Sequence, residues 1–372
     1  MRTARIFRLG MAHPGDLSEL DALIAAGTIR ASEIVAIIGK TEGNGGVNDF
    51  TRGFFTQTVM MRLSEQLQRP ADELVHEIPC VLSGGTEGVM SPHYSLFCVS
   101  ESEAPQPQTA ALAIGTAFSA AMPVHEIGRR AHVESVAATV RQAIAAAGIT
   151  RTEDVHVVQV KCPCVTAARA AAAIAAGQPP VTTDPNRSMA LARAAGAFGV
   201  ALALGEIGAD DFTDASLLSE FSLQSPRASI SSGVEVESNE VVVLGNSVSW
   251  TGPLRIASRP MADALDIGAI TAVLADLGLA AAPQLAKTDA DRVATVLVKC
   301  EPDRRGLIRG HRHTMLDDTD INAQRHIRGA VAGLVAGVIG DGRIFVSGGA
   351  EHQGPDGGGL IAVIAAPAGA QS

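Results

Sequence analysis

Aromatic side chains are scarce in this sequence, since Phe, Trp and Tyr together make up 3% of its 372 residues. The core must therefore be built mainly from aliphatic side chains. Positive charge is also in deficit, because 29 Lys and Arg residues face 39 Asp and Glu residues and leave a formal net charge of −10. Nucleic-acid-binding surfaces need basic patches and stacking rings, so we expect no nucleic-acid partner and no membrane-surface role.

Long hydrophobic runs are lacking as well. The longest charge-free apolar stretches, 194–205 and 329–340, have 12 residues each, whereas a membrane-spanning helix needs about 20. Residues 1–16 contain no apolar run of the kind that a signal peptide requires. Five cysteines, an odd number, predict reduced thiols. These features predict a cytoplasmic protein, and 47% hydrophobic against 18% charged residues exclude global disorder.

Lysine accounts for only four of the 29 basic residues. Three of the four end apolar runs rich in Val and Ile, which predict buried strands that finish at Lys40, Lys161 and Lys299. A solvated charge at a strand end would explain one such case, but three in a chain that otherwise uses Arg favour another reading. Lysine, unlike arginine, can lose its proton on burial and act as a base, so the pattern indicates chemistry that arginine cannot perform.

A repeat organises the chain around these lysines. Downstream of each lysine, a short strand ends in serine and glycine, and a carboxylate follows four residues after the serine. Between lysine and serine, an arginine opens an apolar helical stretch. The serines are Ser83, Ser231 and Ser347, the carboxylates are Glu87, Glu235 and Glu351, and the arginines are Arg52, Arg193 and Arg325.

Each copy of this pattern reads as strand, helix, Lys strand, helix, Ser strand, strand. We therefore predict an α/β protein of three homologous repeat units, 1–104, 105–251 and 252–372, packed with pseudo-threefold symmetry around a central active site. Turn residues collect at both predicted boundaries, near Glu103–Pro107 and near Gly252-Pro253. The middle unit is longer because of an Ala-rich insertion near residues 165–186, for which we predict a helix and a loop.

Three lysines, three arginines and three Ser-Gly turns around one axis suit a specific kind of ligand. A neutral lysine can remove the proton of a serine hydroxyl, and backbone N–H groups of a tight turn can hold a developing oxyanion. Three copies would grip three carbonyls of a small, flat, oxygen-rich ring with threefold symmetry. A purely structural role for the glycine turns would explain one of them but not the threefold coincidence with Lys and Arg.

Five long strings make the sequence resemble the cyanuric acid hydrolase/barbiturase family of ring-opening amidohydrolases. They are GKTEGNGGVNDFTR (39–52), LSGGTEGVMSPH (82–93), VQVKCPCVT (158–166), RGHRHTMLDDTDIN (309–322) and VSGGAEHQGPDGGG (346–359). The resemblance covers essentially the whole chain. It implies three repeat domains, a homotetramer, and a central site at which cyanuric acid is opened to carboxybiuret, which then loses carbon dioxide to give biuret.

The resemblance also assigns residues. It places the nucleophile at Ser231 and its base at Lys161, with Lys40 and Lys299 as additional dyad residues. The middle unit reads SISSG where the others read SGG, so Ser231 and Ser232 compete for the nucleophile, and alignment of Glu235 with Glu87 and Glu351 selects Ser231. The implied substrate contacts are Arg52, Ser83, Gly84, Arg193, Ser231, Ser232, Arg325, Ser347 and Gly348.

Sequence neighbours suggest that the three lysines differ. Glu42 follows Lys40 by two residues and Glu301 follows Lys299 by two, and a nearby carboxylate would hold either lysine charged. Lys161 has no carboxylate nearby in sequence. We therefore hypothesise that three similar dyads bind the ring, while only Lys161 is neutral enough to activate its serine.

A cation site is implied near the C-terminus. The segment AEHQGPDGGG is rich in glycine and exposed carbonyls, which hard cations prefer as ligands. The resemblance implies a structural divalent ion, Mg²⁺ or Ca²⁺, and no organic cofactor; a glycine-rich turn without metal is the alternative. The implied ligands are Glu301, Ala350, Gln353, Gly354, Pro355 and Gly358.

Two other functions remain open from the sequence. A barbiturase would use the same dyad on barbituric acid, with discrimination in one or two side chains near Arg325. A non-catalytic binder of small planar anions would bind without turnover, and it offers no reason for three buried lysines.

Overall fold

Three sheets with one common strand order form the framework of the protein. The computed structural model describes residues 1–102 and 109–367. In each sheet the Lys strand lies between a parallel Ser strand and an antiparallel partner, and a further antiparallel strand pairs with that partner. Each sheet therefore has the same strand order: the first strand of the unit, its last strand, the Lys strand and the Ser strand. This threefold recurrence confirms the predicted α/β class and its three homologous units.

The first unit carries its helices on the connections between strands. Its sheet has the order β3-β2-β4-β1, extended at β1 by the short parallel strand β9 from residues 250–251. The elements are β1 (Arg2–Gly10), α1 (Ser18–Ala25), β2 (Ile34–Thr41), α2 (Phe50–Leu67), α3 (Ala71–Leu74), β3 (Cys80–Gly84) and β4 (His93–Glu101).

The second unit has the sheet order β5-β8-β6-β7. The Ala-rich insertion forms a helix, as predicted, between the Lys strand and the long helix that follows. The elements are β5 (Ala111–Ala121), α4 (Arg130–Ala147), β6 (Val155–Pro163), α5 (Ala167–Ala175), α6 (Pro185–Leu204), β7 (Ala228–Gly233), β8 (Ser238–Ser247) and β9 (Trp250–Thr251).

The third unit has the sheet order β10-β15-β11-β14, and a two-stranded hairpin follows its Lys strand. The elements are β10 (Arg255–Met261), α7 (Ile267–Asp276), α8 (Lys287–Ala290), β11 (Val293–Cys300), β12 (Leu307–Ile308), β13 (His311–Arg312), α9 (Ala323–Ile339), β14 (Phe345–Ser347) and β15 (Gly359–Ala365).

The structure describes one of the two predicted unit boundaries. The boundary predicted near Glu103–Pro107 lies outside the described residues. At the second boundary, Trp250 and Thr251 pair with Arg2 and Thr3 of β1, so the end of the middle unit is added to the first unit's sheet. This added strand links the first two units just before the chain enters the third.

The core is aliphatic, as the composition predicts. One cluster joins side chains of all three units, including Ala36, Val160 and Leu297, and the single Trp and single Tyr are both fully buried. Helix α4 lies against β5 at Gly115, where a Cβ atom would come within 2.0 Å of the Ala143 carbonyl oxygen. The close helix–sheet contact therefore requires glycine at this position.

The three helices that carry the predicted arginines begin at polar N-caps. The side chains of Asp49, Asp184 and Asn322 accept backbone N–H groups at the starts of α2, α6 and α9. Helix α6 is long and apolar enough to cross a membrane by length and composition, but 72% of its apolar window is buried inside the protein. It is therefore a core helix that positions its arginine at the centre of the molecule.

Candidate active site

Each Lys strand and Ser strand place their functional residues side by side. Lys40 pairs with Ser83, Lys161 with Ser231, and Lys299 with Ser347 in the parallel registers of the three units. Directly paired residues point to the same face of a sheet, so the unequal spacings in the sequence converge on one arrangement. All three lysines are almost completely buried, between 0% and 1% exposed.

The strand ends surround a central cavity of about 510 Å³. Of the three strand-end lysines, Lys161 alone lines the described part of this cavity, and every substrate contact implied by the resemblance also lines it. Residues of all three units contribute. The lining residues are Asn44, Gly45, Gly46, Arg52, Leu82, Ser83 and Gly84; Lys161, Asn186, Met189, Arg193, Ser231 and Ser232; and Asn322, Gln324, Arg325, Arg328, Ser347, Gly348 and Gly349.

The arginines at the cavity are held by carboxylates of the next unit. Each unit supplies one arginine to the glutamate that follows the Ser strand of another unit, and the three pairs close a ring. Guanidinium–carboxylate pairs of this kind fix geometry as well as charge. The pairs are Arg52 Nε to Glu235 Oε1 at 2.6 Å, Arg193 Nη2 to Glu351 Oε1 at 2.6 Å, and Arg328 Nη2 to Glu87 Oε1 at 2.5 Å.

In the third unit, the arginine that takes part in this ring of ion pairs is Arg328 and not Arg325. Arg328, 6% exposed, occupies the place that Arg52 and Arg193 hold in the other units. The side chain of Arg325 is 43% exposed, its Nε lies 3.9 Å from Glu87 Oε1, and it also lines the cavity, so its role as a substrate contact stays a prediction. The repeat pattern did not point to Arg328 because the paired arginines do not share a helical position: Arg52 is the third residue of α2, Arg193 is the ninth of α6 and Arg328 is the sixth of α9.

We expect Arg328→Met to weaken substrate binding more than Arg325→Met. Loss of Arg328 should raise KM by about 10- to 100-fold, because a charged donor at the cavity wall and a link between two units both disappear. Replacement of the exposed Arg325 should raise KM by less than tenfold. Steady-state kinetics of both variants, with thermal melting to show that each is folded, measure the difference; a larger effect at Arg325 contradicts the assignment.

The middle dyad differs from its two counterparts. Lys40 Nζ donates to Ser83 Oγ at 3.2 Å and Lys299 Nζ donates to Ser347 Oγ at 3.1 Å. Lys161 Nζ instead lies 2.6 Å from Glu235 Oε1 and donates to the carbonyl of Leu82 at 3.0 Å. Within the described residues, Lys161 is the one strand-end lysine in an ion pair.

This arrangement contradicts the reason given above for a difference between the lysines, which was that carboxylates lie beside Lys40 and Lys299 but not beside Lys161. Glu42 is exposed, and Glu301 accepts a hydrogen bond from Arg304 at 2.7 Å rather than pairing with Lys299. The lysine expected to lack a carboxylate is the one that contacts Glu235. Proximity in sequence was misleading because the glutamate four residues after Ser231 approaches Lys161 across the strand end.

Burial is the main cause of the lowered pKa of the three lysines. It lowers the pKa of Lys161 against the opposing effect of Glu235, and it lowers the pKa of Lys40 well below the usual range. Burial, followed by the charge of Arg193, lowers the pKa of Lys299 to about 7. Burial alone would raise the pKa of Glu235, but Lys161 and Arg52 bring it down to about 2. Glu235 is therefore an anion beside Lys161 near neutral pH.

The geometry separates the two competing serines. Ser232 Oγ donates to the carbonyl of Met189 at 3.0 Å and accepts from Arg193 Nη1 at 3.3 Å. Ser231 Oγ is buried and has no hydrogen-bond partner within residues 1–102 and 109–367. A hydroxyl without a partner at the cavity wall is free to meet a ligand, so the arrangement favours Ser231 over Ser232 as the reactive group.

Backbone hydrogen bonds link several residues predicted to hold a cation, since Gln353 N–H donates to Ala350 O and Gly358 N–H donates to Pro355 O. The backbone N–H of Glu301 donates to Gly358 O at 3.3 Å, which joins the end of β11 to the glycine-rich loop. Burial, followed by the neighbouring Glu351, raises the pKa of Glu301 to about 8. No group of three or more His, Cys, Asp or Glu side chains in the described chain could hold a metal ion. A site here would therefore consist of one carboxylate and carbonyl oxygens.

Comparisons with known proteins agree with this architecture. The sequence profile described as "amidohydrolase ring-opening protein" matches residues 5–366. The chain is 50% identical over 366 residues to a cyanuric acid amidohydrolase of Azorhizobium caulinodans, covering 98% of this chain and 99% of that protein. It is 43% identical over 361 residues to another from Pseudomonas sp. strain ADP, covering 97% and 98%.

Solved structures give the same result. A cyanuric acid hydrolase described as an innovation by structural concatenation superposes with a TM-score of 0.94 at 42% identity, covering 98% of this chain and 100% of that one. The enzyme from A. caulinodans gives a TM-score of 0.91 at 50% identity, covering 99% and 100%. The family resemblance inferred from the five strings is thus confirmed: this chain belongs to the ring-opening amidohydrolase family.

Proposed function

We propose that this protein is a cyanuric acid hydrolase that opens the ring of cyanuric acid to carboxybiuret, which loses carbon dioxide to give biuret. The observation that carries the proposal is the convergence of three Ser strands and three carboxylate-paired arginines on one cavity. Three Ser-Gly strand ends match the three carbonyls of the ring, and the relatives named above are cyanuric acid hydrolases. No observation favours barbituric acid, the alternative substrate.

In the proposed reaction, Ser231 is the nucleophile and Lys161 is the base. Neutral Lys161 takes the proton of Ser231 as Oγ attacks a ring carbonyl carbon, and backbone N–H groups at the strand ends stabilise the oxyanion. When the C–N bond breaks, the Lys161 ammonium returns the proton to the leaving nitrogen. Water, deprotonated by Lys161, then attacks the acyl carbon, and Lys161 returns the proton to Ser231 Oγ as the C–O bond breaks and the opened ring leaves. Lys161 Nζ must first leave Glu235, its partner in the free enzyme.

The remaining dyads hold the ring rather than react. Lys40 and Lys299 already donate to their own serines and to the carbonyls of Gly84 and Gly348. These bonds fix the hydroxyl groups of Ser83 and Ser347 for hydrogen bonding to the two other carbonyls of the ring. The three Arg–Glu pairs, which link the units in a closed circle, hold the three strand ends at similar distances from a symmetric ligand.

Incubation of the purified protein with cyanuric acid, and separately with barbituric acid, tests the proposal. We expect loss of the ultraviolet absorbance of cyanuric acid with the appearance of biuret. Loss of barbituric acid alone would assign the site to a pyrimidine ring. Binding of either compound without turnover would favour the non-catalytic alternative and contradict the proposed reaction.

We further propose a structural Mg²⁺ or Ca²⁺ ion held by the Glu301 carboxylate with Ala350, Gln353, Gly354, Pro355 and Gly358. The oxygen-only donor set suits a hard cation, and a cation would keep buried Glu301 ionised beside Glu351. Its role would be to fix the loop that follows Ser347, and no organic cofactor is proposed.

Removal of the ion is expected to lower the melting temperature by roughly 5 °C, since a ligand bound at 100 times its Kd contributes about 2.7 kcal/mol. Differential scanning calorimetry with EDTA, followed by readdition of Mg²⁺ or Ca²⁺, measures this shift. Glu301→Gln is the matched control and should melt at the same temperature with and without EDTA. An unchanged melting temperature of the metal-analysed wild type after EDTA treatment would refute the site.

The assembly of the protein remains a prediction from the family resemblance, and its location remains a prediction from the composition of the sequence. A homotetramer is supported by the exposed apolar face of α2, where Phe50, Phe54 and Met61 are 78%, 46% and 54% exposed. A cytoplasmic location is supported by five cysteines that are all buried and free.

A further inference from the structure

The position across the strand from each lysine breaks the threefold symmetry. In the antiparallel pairing of the Lys strand with the last strand of its unit, Lys40 faces His93, Lys161 faces Glu240, and Lys299 faces Leu360. Side chains at directly opposed positions lie on the same face of a sheet. The middle lysine therefore has an acidic neighbour where the others have an imidazole or an aliphatic group.

The carboxyl group of Glu240 is fixed at the boundary between the first and second units. Glu240 is 5% exposed, and its Oε2 accepts the backbone N–H of Cys80 at 3.0 Å. Two residues further along β3, the carbonyl of Leu82 accepts from Lys161 Nζ. One strand of the first unit thus holds both members of the Lys161–Glu240 pair in the second unit.

The other two facing side chains supply no negative charge. Burial lowers the pKa of His93 to about 4, so its ring is neutral near neutral pH. Leu360 is apolar and fully buried. A facing carboxyl group is therefore a property of the middle unit alone within the three sheets described.

Among the described residues that face Lys161, one group can change its charge near neutral pH. Arg52 and Glu235 form a fixed ion pair, and burial raises the pKa of all three neighbouring thiols, which stay neutral. Burial also raises the pKa of Glu240 to about 8. The titratable and charged groups that face Lys161 and Glu240 are Arg52 on α2, Cys80 on β3, Cys162 on β6, and Cys164 and Glu235 after β6 and β7.

We propose that Glu240 is a positioning residue of the reaction proposed above, in which its carboxyl group, across the strand from Lys161, sets the proton occupancy of that lysine and thereby the pH at which Ser231 is activated. An ionised Glu240 stabilises the ammonium form of Lys161, and a protonated Glu240 removes that stabilisation. The buried site keeps the same net charge when Lys161 loses a proton and Glu240 gains one.

The scarcity of lysine makes a direct measurement practical. The protein contains four lysines, so [ε-¹³C]lysine labelling gives four resonances, and Lys287, whose side chain is 87% exposed, serves as the internal reference. Glu240→Gln removes the charge but retains an oxygen that can accept the Cys80 N–H. The pH titration of the Lys161 resonance is then compared between wild type and variant, with assignment by Lys161→Arg.

We expect the midpoint of Lys161 to fall by about one pH unit in Glu240→Gln, because the ammonium form loses a stabilising charge. The midpoints of Lys40, Lys299 and Lys287 should not move. Leu360→Met, a substitution at the equivalent place in the third unit, is the matched control and should leave the Lys161 midpoint unchanged. An unchanged midpoint in Glu240→Gln, or equal shifts of all buried lysines, would overturn the proposal.

A kinetic measurement connects the titration to the reaction. The acidic limb of the kcat/KM profile for cyanuric acid should move to lower pH by the same amount in Glu240→Gln, since the neutral base appears at lower pH. Glu240→Leu, which copies the third unit, should move it in the same direction if it folds. If wild type does not turn over cyanuric acid, the proposed function fails, while the lysine titration still decides the electrostatic role of Glu240.

Discussion

Replacing Ser231 with alanine is expected to reduce kcat for cyanuric acid by about 10⁴-fold or more, the size of effect seen when a serine nucleophile is removed. Ser231 Oγ is buried at the cavity wall without a hydrogen-bond partner in the described chain, so its loss leaves no other donor or acceptor unsatisfied. The variant should therefore fold normally and still bind the ring. Single-turnover kinetics and calorimetric binding separate the two effects.

Ser83→Ala and Ser347→Ala are the matched controls for Ser231→Ala. Each removes a hydroxyl at the same strand position, but one that is hydrogen-bonded to its lysine. We expect these variants to raise KM by about tenfold, in line with the loss of one hydrogen bond, and to reduce kcat far less. Equal losses of kcat at all three serines would contradict the assignment of one nucleophile.

The pairing of lysine with serine was predictable from the sequence because both residues end strands. Strand ends are visible in the apolar runs, and parallel strands in one sheet bring their ends to the same edge. The Lys-to-Ser separation varies with the length of the intervening helix and insertion, yet the register does not change. The middle unit absorbs its insertion as α5 without displacing Lys161 from Ser231.

The arginine of the third unit that pairs with Glu87 was not predictable by the same reasoning. Arg325 and Arg328 are three residues apart on α9, so they lie on neighbouring parts of one helix face, and periodicity does not distinguish them. The difference arises from tertiary structure: Glu87 of the first unit reaches Arg328 with two hydrogen bonds. The repeated glutamates after each serine were visible, but their partners belong to other units and leave no local signal.

The prediction that Lys161 lacks a nearby carboxylate was wrong for a related reason. The carboxylates that govern Lys161 come from Glu235, 74 residues later in the chain, and from Glu240 on β8. Cross-strand neighbours depend on register, which a chain of unknown sheet order does not reveal. Burial of the lysines was predictable from the apolar runs, whereas the identity of their charged neighbours required the fold.

Replacing Lys161 with methionine is expected to reduce kcat by about 10²- to 10⁴-fold, the contribution of a general base. Lys161→Arg should be equally impaired, because arginine keeps the positive charge beside Glu235 but cannot act as a base. Lys40→Met and Lys299→Met should mainly raise KM, since these lysines orient Ser83 and Ser347 and lie outside the described cavity lining. The comparison is made on variants whose melting curves show a folded protein.

The comparison of the three lysines decides between two views of the site. If the site used its threefold symmetry in the chemistry, a ligand bound in any of three equivalent rotations would meet a competent dyad, and each lysine variant would lose a similar fraction of kcat. The ion pair of Lys161 with Glu235, its place on the cavity wall and the carboxyl group of Glu240 across the strand belong to one unit only. A loss of kcat confined to Lys161 would therefore show that the repeats bind symmetrically and react through a single dyad, whereas equal losses at Lys40, Lys161 and Lys299 would refute that division of roles.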